Sequence, residues 1–455
     1  MRSLREQGQV TEPRGGVWDK IAGALGSPLA KRVLLALLVV LVAFLWWNMV
    51  RRAVQGHGSQ FDDWIEFSRD LVYERVDVYR EYSWQRTSIG KYPPFFSLLF
   101  APLVPLPTRL AASLWFWLNL VLAAGATYLS VRTVDETDGV EGKRLSMFWI
   151  PLVLAAGIIG SNLETAQVNI VILFFLCLAL YLFKRSADLS AGLALGLITA
   201  LKLTPGLFIV YFAYKRAYRV VLGAVLGLLV CWLLVPPLVL GIDHFTAVMS
   251  GWYGRLNPFL VEGTLAEGVA GFRHTNQSLS AAFHRYFTAT PAGGGRTDFY
   301  INLLSLGYVA ADRVVKLLSL VIVVALAWIC RTPLGDRHRL MLSFEYALVM
   351  IAALFISPIS WINHYVVLLF PYTAAVYYVR TRPASRPGRR LILYSLVASF
   401  LLVSSSASRL LQAFSLPFLG ASILAAAMVI VVVREGRSEA AVRVAEPAVV
   451  PPGEV

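Results

Sequence analysis

Charged residues and cysteines are both scarce in this chain. Of its 455 residues, 15% are charged and 57% are hydrophobic, which is far from the balance of a soluble protein. The three cysteines, Cys177, Cys231 and Cys330, are scattered among apolar runs. This spacing matches neither a disulfide framework nor the clustered ligands of a metal site. The composition therefore argues against a soluble, disulfide-stabilised protein and predicts no bound metal.

Common catalytic signatures are missing as well. The sequence contains no HExxH, no GxSxG and no phosphate-binding P-loop. These absences argue against a zinc peptidase, a serine hydrolase with a nucleophile elbow and a nucleotide-driven pump. We therefore expect no cofactor.

Acidic residues are fewer than basic ones, 27 against 41, and the formal net charge is +14. In a soluble protein this excess would suggest nucleic-acid binding. Basic residues are typical of the short cytoplasmic loops of membrane proteins, and here they cluster in the short segments 214–219, 331–339, 380–390 and 434–437. Membrane orientation therefore accounts for most of the charge, and no nucleic-acid partner is predicted.

Long apolar runs dominate what is present. Examples are "VLLALLVVLVAFLWW" (33–47), "VVLGAVLGLLVCWLLV" (220–235) and "LLSLVIVVALAWI" (317–329), which reach bilayer-spanning length with their flanks. The first run is too long for a signal core and lacks a cleavage site, so we interpret it as an uncleaved helix. We predict an all-α polytopic membrane protein with about twelve transmembrane helices, two long extracytoplasmic loops and both termini in the cytoplasm.

Two runs make the middle of this topology ambiguous. The run 93–107 counts as a span, although it is short and contains several prolines. The run 189–213 contains "LKLTPG" (201–206), which fits either a kinked helix or two half-helices. Counting each run as one span places the basic segment "FKRSAD" (183–188) outside the cell, against the positive-inside tendency.

The domain organisation follows from the same pattern. Residues 1–32 are predicted to form a cytoplasmic N-terminal segment, and residues 33–433 a single integral membrane domain. Within that domain, 51–92 form the first outer loop with an interfacial helix, and 241–305 form the large outer loop. The tail 434–455 has Pro, Ala and Val without a packing pattern, which predicts disorder in the cytoplasm.

Two adjacent carboxylates, Asp62 and Asp63, follow the first apolar run closely. They lie in "GSQFDDWIEFSRDLV" (58–72), whose apolar residues form a one-sided stripe if 60–75 is helical. Such a helix would lie along the outer membrane surface. One aspartate near its N-terminus would cap the helix, but capping needs only one acid. The other is then a candidate for chemistry.

Further polar groups interrupt the apolar runs. Lys91 and Tyr92 precede two prolines and are candidate interfacial anchors or site residues. Gln167 and Asn169 lie between two apolar runs, in either an exposed turn or a site. Lys202 is more informative, because a lysine within an apolar run needs a partner or a wet cavity and often marks a substrate path. Snorkelling of Lys202 to a nearby surface is the alternative.

The large outer loop contains "RHTNQSLSAAFHRY" with Arg273, His274, Asn276 and Gln277. A solvated loop would have a similar composition. Amide groups, however, suit sugar hydroxyls, and guanidinium suits phosphate, so a site that binds a sugar and a phosphate together is the sharper hypothesis.

The segment "SPISWINHY" (357–365) breaks two apolar runs near the same predicted surface. A single histidine is more often structural. Here Trp361, Asn363 and His364 occur together at a helix junction, which favours a binding site.

Taken in order, these motifs resemble a known family. The chain is similar to polyprenyl-phosphate-sugar-dependent glycosyltransferases of the GT-C superfamily, specifically glycosyltransferase family 87, over about residues 33–370. The matching motifs are Asp63-Trp64, "KYPPFFSLLFAPLVPLP", "AQVN", "LKLTP", "HTNQSLS" and "SPISWINHY". The acid is doubled here, and Ala166 stands where the family commonly has glycine. The spacing of Trp64 and Phe67 favours Asp63 over Asp62 as the catalytic aspartate.

The resemblance implies a GT-C-like fold and a defined chemistry. The donor would be a hexose, most often mannose, on a polyprenyl phosphate, and the acceptor a lipid or glycan of the cell envelope. One aspartate would act as general base in an inverting transfer, with no metal. The candidates for phosphate and sugar binding are Lys202, Arg273, His274, Asn276, Gln277, Asn363, His364, Lys91, Tyr92, Gln167 and Asn169.

The same resemblance implies a multi-pass protein of the plasma (inner) membrane whose active site faces the extracytoplasmic side. A secondary transporter or flippase of an envelope intermediate is the main alternative. A non-catalytic subunit of an envelope assembly is a third. The polar clusters favour the outer side, which suits a surface reaction better than a midplane transport site.

Overall fold

The computed structural model describes residues 28–56, 59–81, 92–135, 141–256, 271–293 and 299–445. Across these ranges the chain is helical, without a single β-strand. One isolated antiparallel bridge joins Asn276 to Trp361. The predicted all-α class is therefore confirmed. A helix pairs its backbone hydrogen-bonding groups within its own segment, which a bilayer requires.

The helices have the following bounds: α1 Pro28–Gln55, α2 Phe61–Ser68, α3 Val78–Glu81, α4 Pro94–Phe100, α5 Thr108–Val134, α6 Glu141–Glu164, α7 Asn169–Lys184, α8 Asp188–Leu201, α9 Leu207–Tyr214, α10 Tyr218–Leu229, α11 Val235–Leu240, α12 Ile242–Leu256, α13 Leu279–Phe287, α14 Tyr308–Ile329, α15 Arg339–Ile356, α16 Leu369–Thr381, α17 Pro387–Ser404, α18 Arg409–Ala413 and α19 Leu416–Ala445. Short π segments extend α2 over Arg69–Tyr73 and join α10 to α11 over Val230–Leu234. A 3-10 segment, Ile362–Leu368, precedes α16.

Seven spans in the described chain are long and apolar enough to cross a membrane. They are Leu35–Gln55, Thr108–Val134, Met147–Glu164, Tyr218–Leu240, Arg339–Ile356, Pro387–Ala407 and Leu416–Glu435. The first is only 17% buried, so most of α1 lies at the periphery of the bundle. These spans support a membrane protein, and the count of about twelve with two long outer loops stays a prediction.

The bundle has two chemically different ends. At one, which we call the basic end, the Lys184 ammonium donates to the backbone carbonyls of Arg132 and Asp135, joining the ends of α5 and α7. At the other, which we call the site end, Lys202 lies beside Asn169 and His364. Helix α7 runs from Asn169 to Lys184 and therefore connects the two ends.

The run 189–213 forms two helices, α8 and α9, rather than one kinked helix. Lys202 is extended (φ −154°, ψ 129°), and a 3-10 turn at Thr204–Gly206 follows it. Pro205 has no N–H to donate to the preceding turn, so α8 cannot continue through this point. The break leaves Lys202 at the site end.

Helices α8 and α10 pack through glycines in matching order. Gly192 lies against Gly223, and Gly196 against Gly227, so the two helices are parallel. A Cβ on Gly192 would lie 2.1 Å from the Val220 carbonyl oxygen, which shows how closely the backbones approach. Helix α9 between them must therefore return toward the basic end, where Lys215 at its end contacts Glu345.

Helix α4 is held against α2 at the site end. Trp64 of α2 packs on Phe96 and Phe100, with ring centroids 4.4 and 5.1 Å apart. The Ser68 hydroxyl donates to the Ser97 carbonyl at 2.8 Å. The prolines limit α4 to seven residues, so the predicted span 93–107 contains a short helix packed on α2.

The helix predicted over 60–75 is present as α2 and its π extension, and its stripe of Phe61, Trp64 and Phe67 is buried. At the C-terminus, α19 extends through residues 434–445, which belong to the tail predicted to be disordered. Residues 1–27, including most of the predicted N-terminal segment, and residues 446–455 lie outside the described part.

Candidate functional site

Lys202 and His364 form the centre of the polar cluster. The Lys202 Nζ lies 2.9 Å from His364 Nε2 and 3.0 Å from Asn169 Oδ1. Because an ammonium has only donors, Nε2 accepts the bond from Lys202, and the neutral ring then carries its proton on Nδ1. The sequence places these two side chains 162 residues apart, and only the fold brings them together.

Each of these side chains sits at an interruption of helical structure. Lys202 occupies the extended break after α8, Asn169 is the first residue of α7, and His364 lies in the 3-10 segment before α16. Breaks of this kind are tolerated at membrane depth where the backbone lines a cavity. The three breaks converge on one cavity.

That cavity is open at its mouth. Its empty space, with the open region counted, is about 530 Å³, and it has a polar end and apolar walls. Its polar groups come from Asn169, Lys202, Thr204, Ser357, Ser360 and His364. Its walls are Ile172, Leu176, Pro205, Phe208, Met350, Ala353, Leu354 and Val367. A cation at the head of an apolar groove suits an amphiphile with an anionic headgroup.

Asn363 is the structural centre of the junction. Its Oδ1 accepts from the Ser161 hydroxyl at 2.7 Å, and its Nδ2 donates to Thr165 Oγ1 at 3.2 Å. Asn162 donates to the Asn363 carbonyl at 2.9 Å and accepts from Asn169 at 3.2 Å. This network ties the end of α6 and the start of α7 to the segment that holds His364.

The turn between α6 and α7 requires an unusual backbone conformation. Ala166 has φ +57°, in the left-handed region that favours glycine. Its carbonyl accepts from the Trp115 indole at 3.2 Å. Gln167, 3% exposed, accepts from Asn169 at 3.4 Å. Both predicted residues of this turn, Gln167 and Asn169, are therefore buried in the network and not in an exposed loop.

Asp62 and Asp63 differ in environment. Asp62 is partly buried, and its Oδ2 has no hydrogen-bond partner among the described residues. Burial, with a smaller contribution from the Asp63 charge, raises the pKa of Asp62 to about 6. Asp63 is exposed, yet the protein around it removes part of its hydration, and this loss together with Glu66 raises its pKa. Neither side chain caps α2.

The segment that carries the two carboxylates is joined to the Lys202 network through its backbone. The backbone N–H of Gln60, just before Phe61, donates to the Thr165 carbonyl at 3.2 Å. Thr165 in turn accepts from Asn363, the neighbour of His364. An ion pair of 2.8 Å between Arg52 and Glu164 fastens the end of α1 to the same turn. The start of α2 is therefore part of the same site end.

Tyr92 packs on the other side of α2. Its ring stacks on Phe96 at 4.2 Å and lies 5.3 Å from Trp64, and its carbonyl accepts from Tyr79. Lys91, the other predicted residue of this motif, lies outside the described residues.

Asn276 and Gln277 are fully buried at 0% exposure. Asn276 donates to the Pro358 carbonyl and accepts from the Ser360 amide, and Gln277 donates to the Gln412 carbonyl. Their amides bond to the protein backbone and attach this part of the chain to the segment before His364. Sequence composition cannot separate this structural use from sugar binding.

Arg273 and His274 lie nearer the surface of the same loop. Arg273 is exposed, and His274 is partly buried with Nδ1 3.2 Å from the Ala292 carbonyl. Burial lowers the pKa of His274, nearby arginines act in the same direction, and the bond to Ala292 opposes them. A neutral imidazole is therefore favoured near pH 7.

Several residues of the site were not predicted as site residues. Asn162, Thr165 and Ser161 support Asn363, and Thr204, Ser357 and Ser360 line the cavity. Their signal in the sequence is clustering of small polar residues beside the predicted motifs, which by itself does not distinguish a support from a loop.

Comparison with known proteins identifies a family. A model of glycosyltransferase family 87 matches residues 91–358. A polyprenol-phosphate-mannose-dependent alpha-(1-2)-phosphatidylinositol pentamannoside mannosyltransferase of Mycobacterium tuberculosis (strain CDC 1551 / Oshkosh) is 26% identical over 305 residues, which cover 66% of this chain and 61% of that protein. A polyprenol-phosphate-mannose-dependent alpha-(1-2)-phosphatidylinositol mannoside mannosyltransferase of Mycolicibacterium smegmatis (strain ATCC 700084 / mc(2)155) is 26% identical over 300 residues, 61% of this chain and 59% of that protein.

The chain spans about three fifths of the length of the curated relatives it matches. No solved structure matches it at a significant level.

Proposed function

The chain belongs to glycosyltransferase family 87, and we propose that it transfers a hexose, mannose in the first instance, from a polyprenyl phosphate to a lipid or glycan acceptor of the cell envelope. The related proteins named above are dependent on polyprenol-phosphate-mannose and act on phosphatidylinositol mannosides. Their names support the proposed class of donor. For the acceptor we propose only the class, a lipid or glycan of the cell envelope.

One observation carries the proposal: the Lys202–His364 pair, 2.9 Å apart, at the polar end of an apolar cavity. A polyprenyl phosphate combines an anionic group with an isoprenoid chain, and both find a complementary surface here. Positive charge at the phosphate stabilises the leaving group as the sugar departs. Lys202 can donate to that phosphate, and His364 can donate as well once its Nε2 is protonated.

We assign the general base to Asp62. The spacing of Trp64 and Phe67 favours Asp63, whereas burial, an unpartnered oxygen and a pKa raised to about 6 favour Asp62. A base works best when its pKa approaches the working pH. The carboxylate takes the acceptor hydroxyl proton, the hydroxyl oxygen bonds to the anomeric carbon, and the bond to the phosphate oxygen breaks on the opposite face, which inverts the centre.

The remaining predicted residues divide into supports of the site and candidates for substrate contact. Asn363, Asn169 and Gln167 position the Lys202–His364 pair through the α6–α7 turn, and Asn276 and Gln277 hold the outer loop on that assembly. Tyr92, Arg273 and His274, with Lys91, stay candidates for contacts with the sugar or the acceptor.

The arrangement of the two ends supports a revised topology. We propose that α4 does not cross the membrane, whereas α8 and α9 each do, which again totals about twelve crossings. The segment 183–188 then lies with the other basic loops on the cytoplasmic side. The domain 33–433 is one integral unit in the plasma membrane, with the site end and both long loops outside.

The short helices support a recessed site. Helices α7 and α8 have 16 and 14 residues, fewer than the ~20 needed to span a bilayer fully. We therefore place Lys202 within the outer leaflet, at a depth that a lipid-linked phosphate reaches without leaving the membrane.

The test uses purified protein with radiolabelled polyprenyl-phosphate mannose and envelope lipid acceptors. We expect transfer to the acceptor, and its loss by at least about a hundredfold in Asp62→Asn, the lower range for a general base. Glu74→Gln, which removes an exposed acid from the same segment, is the matched control and should retain full activity. An unchanged melting temperature shows that each variant is folded.

The outcome also distinguishes the enzyme from a transporter. Label that accumulates inside vesicles without entering a new glycosidic linkage would contradict the proposal and favour transport. Full activity in both Asp62→Asn and Asp63→Asn would exclude the pair as the base.

A further inference from the structure

A second cavity lies at the basic end, away from the Lys202 network. It is open at its mouth, and its empty space with the open region counted is about 920 Å³. Its lining comes from the end of α5, the end of α7, the segment 334–337 and the start of α15. Helices α7 and α15 each reach this cavity at one end and the Lys202 network at the other, so ~24–27 Å of helix separates the two.

The lining residues carry a strong charge asymmetry. Lys184, Arg337 and Arg339 contribute three cations, and none of the described lining residues is acidic. The acid nearest in sequence, Asp336, is exposed and does not line the cavity.

The buried ion cluster behind this wall does not neutralise it. Glu345, at 0% exposure, bonds to Arg337 at 2.6 Å and to Lys215 at 2.7 Å. Two cations therefore share one carboxylate, which leaves a surplus of one positive charge next to the cavity. Buried charge of one sign is costly unless a counter-charge approaches it.

The N-terminal end of α15 also favours an anionic ligand. Helix α15 begins at Arg339, and its N-terminal part lines the cavity through Arg339, Leu342 and Ser343. The N-terminal end of an eighteen-residue helix carries partial positive charge that attracts anions. Arg339 is exposed at this position and is not paired with any described acid in an ion pair.

The apolar part of the wall distinguishes a lipid from a soluble anion. Phe183, Leu334, Leu342 and Tyr346 lie beside the cations. We propose that this cavity binds the phosphodiester headgroup of an anionic phospholipid from the cytoplasmic leaflet. Basic pockets between transmembrane helices on that side suit such headgroups. The lipid would link α5 and α7 to α15 across the basic end.

The test is lipid retention by purified full-length protein in neutral detergent. Native mass spectrometry counts bound lipid after incubation with dioleoylphosphatidylglycerol, dioleoylphosphatidylcholine or sodium phosphate, and the melting temperature is measured in parallel. We expect phosphatidylglycerol alone to be retained and to raise the melting temperature. Arg339→Gln should weaken its retention about fivefold, the factor for one cation near a membrane surface.

Arg219→Gln is the matched control, since Arg219 is exposed in the first turn of α10, in another basic segment, and does not line the cavity. It should retain phosphatidylglycerol like the native protein. Equal retention of the two lipids, equal losses in the two variants, or full stabilisation by phosphate alone would each overturn the proposal. The readout needs no sugar donor, so its result is independent of the transfer reaction.

Discussion

The rate of sugar transfer should depend on acidity in a way set by Asp62. With a pKa of about 6, about 90% of Asp62 is ionised at pH 7 and about 10% at pH 5, because each pH unit changes the ratio tenfold. A general base works only when ionised. We therefore expect kcat/KM to fall about ninefold between these pH values, whereas an aspartate with the ordinary value of 3.8 would lose almost nothing.

Replacing the neighbouring acid separates the two causes of this shift. Asp63→Asn removes the smaller, electrostatic cause and leaves burial, which is the larger one. The pKa of Asp62 should therefore fall part of the way toward its ordinary value, and the acid limb of the profile should move to lower pH. Asp62→Asn should abolish the limb together with the activity.

The assay is the initial rate of transfer from labelled donor at subsaturating concentration, measured from about pH 5 to pH 8. Glu74→Gln should reproduce the native profile. A native rate that stays flat down to pH 5 would refute the reasoning, as would Asp62→Asn with native activity. Loss of activity in Asp63→Asn alone would assign the proton transfer to Asp63.

Three further changes test the site and the bundle. Lys202→Met removes the ammonium beside His364 and should lower kcat/KM by about a hundredfold or more, the effect of one charge-stabilising donor, with the melting temperature as the check on folding. Ala166→Gly relieves the left-handed backbone at φ +57° and should stabilise the protein by ~1 kcal/mol, seen as a higher melting temperature; a lower one would contradict the strain. Gly192→Ala should lower the melting temperature because its Cβ would meet the Val220 carbonyl at 2.1 Å, whereas Gly157→Ala, with nothing within 4 Å, should be tolerated.

The positions of the helices were largely predictable from the chain. Apolar runs such as that of α15 are local features, and in a membrane each must satisfy its own backbone hydrogen bonds as a helix. Pro205 likewise predicts an interruption near Lys202 wherever that segment packs. The helix over 434–445 was not predicted, because the sequence of this tail has no apolar packing pattern from which a helix could be inferred.

The clusters of polar residues could also be identified in the sequence, but the role of each residue in them could not be predicted. The same amide chemistry lets Asn276 anchor a loop and lets Asn169 accept from Lys202. Which of these occurs depends on neighbours distant in sequence, such as Pro358 and Lys202. For the same reason, the difference in burial between Asp62 and Asp63 could not be read from two adjacent identical residues.

The sequence alone determined a helical membrane protein and the family motifs, because hydrophobic length and short motifs are local properties. Only the tertiary structure decided that Lys202 meets His364 at the head of an apolar cavity and that the run 93–107 packs on α2. It also decided that the run 189–213 turns back on itself. Those outcomes depend on close packing between separate segments, such as the contact of Gly192 with Gly223, which no single stretch of the chain specifies.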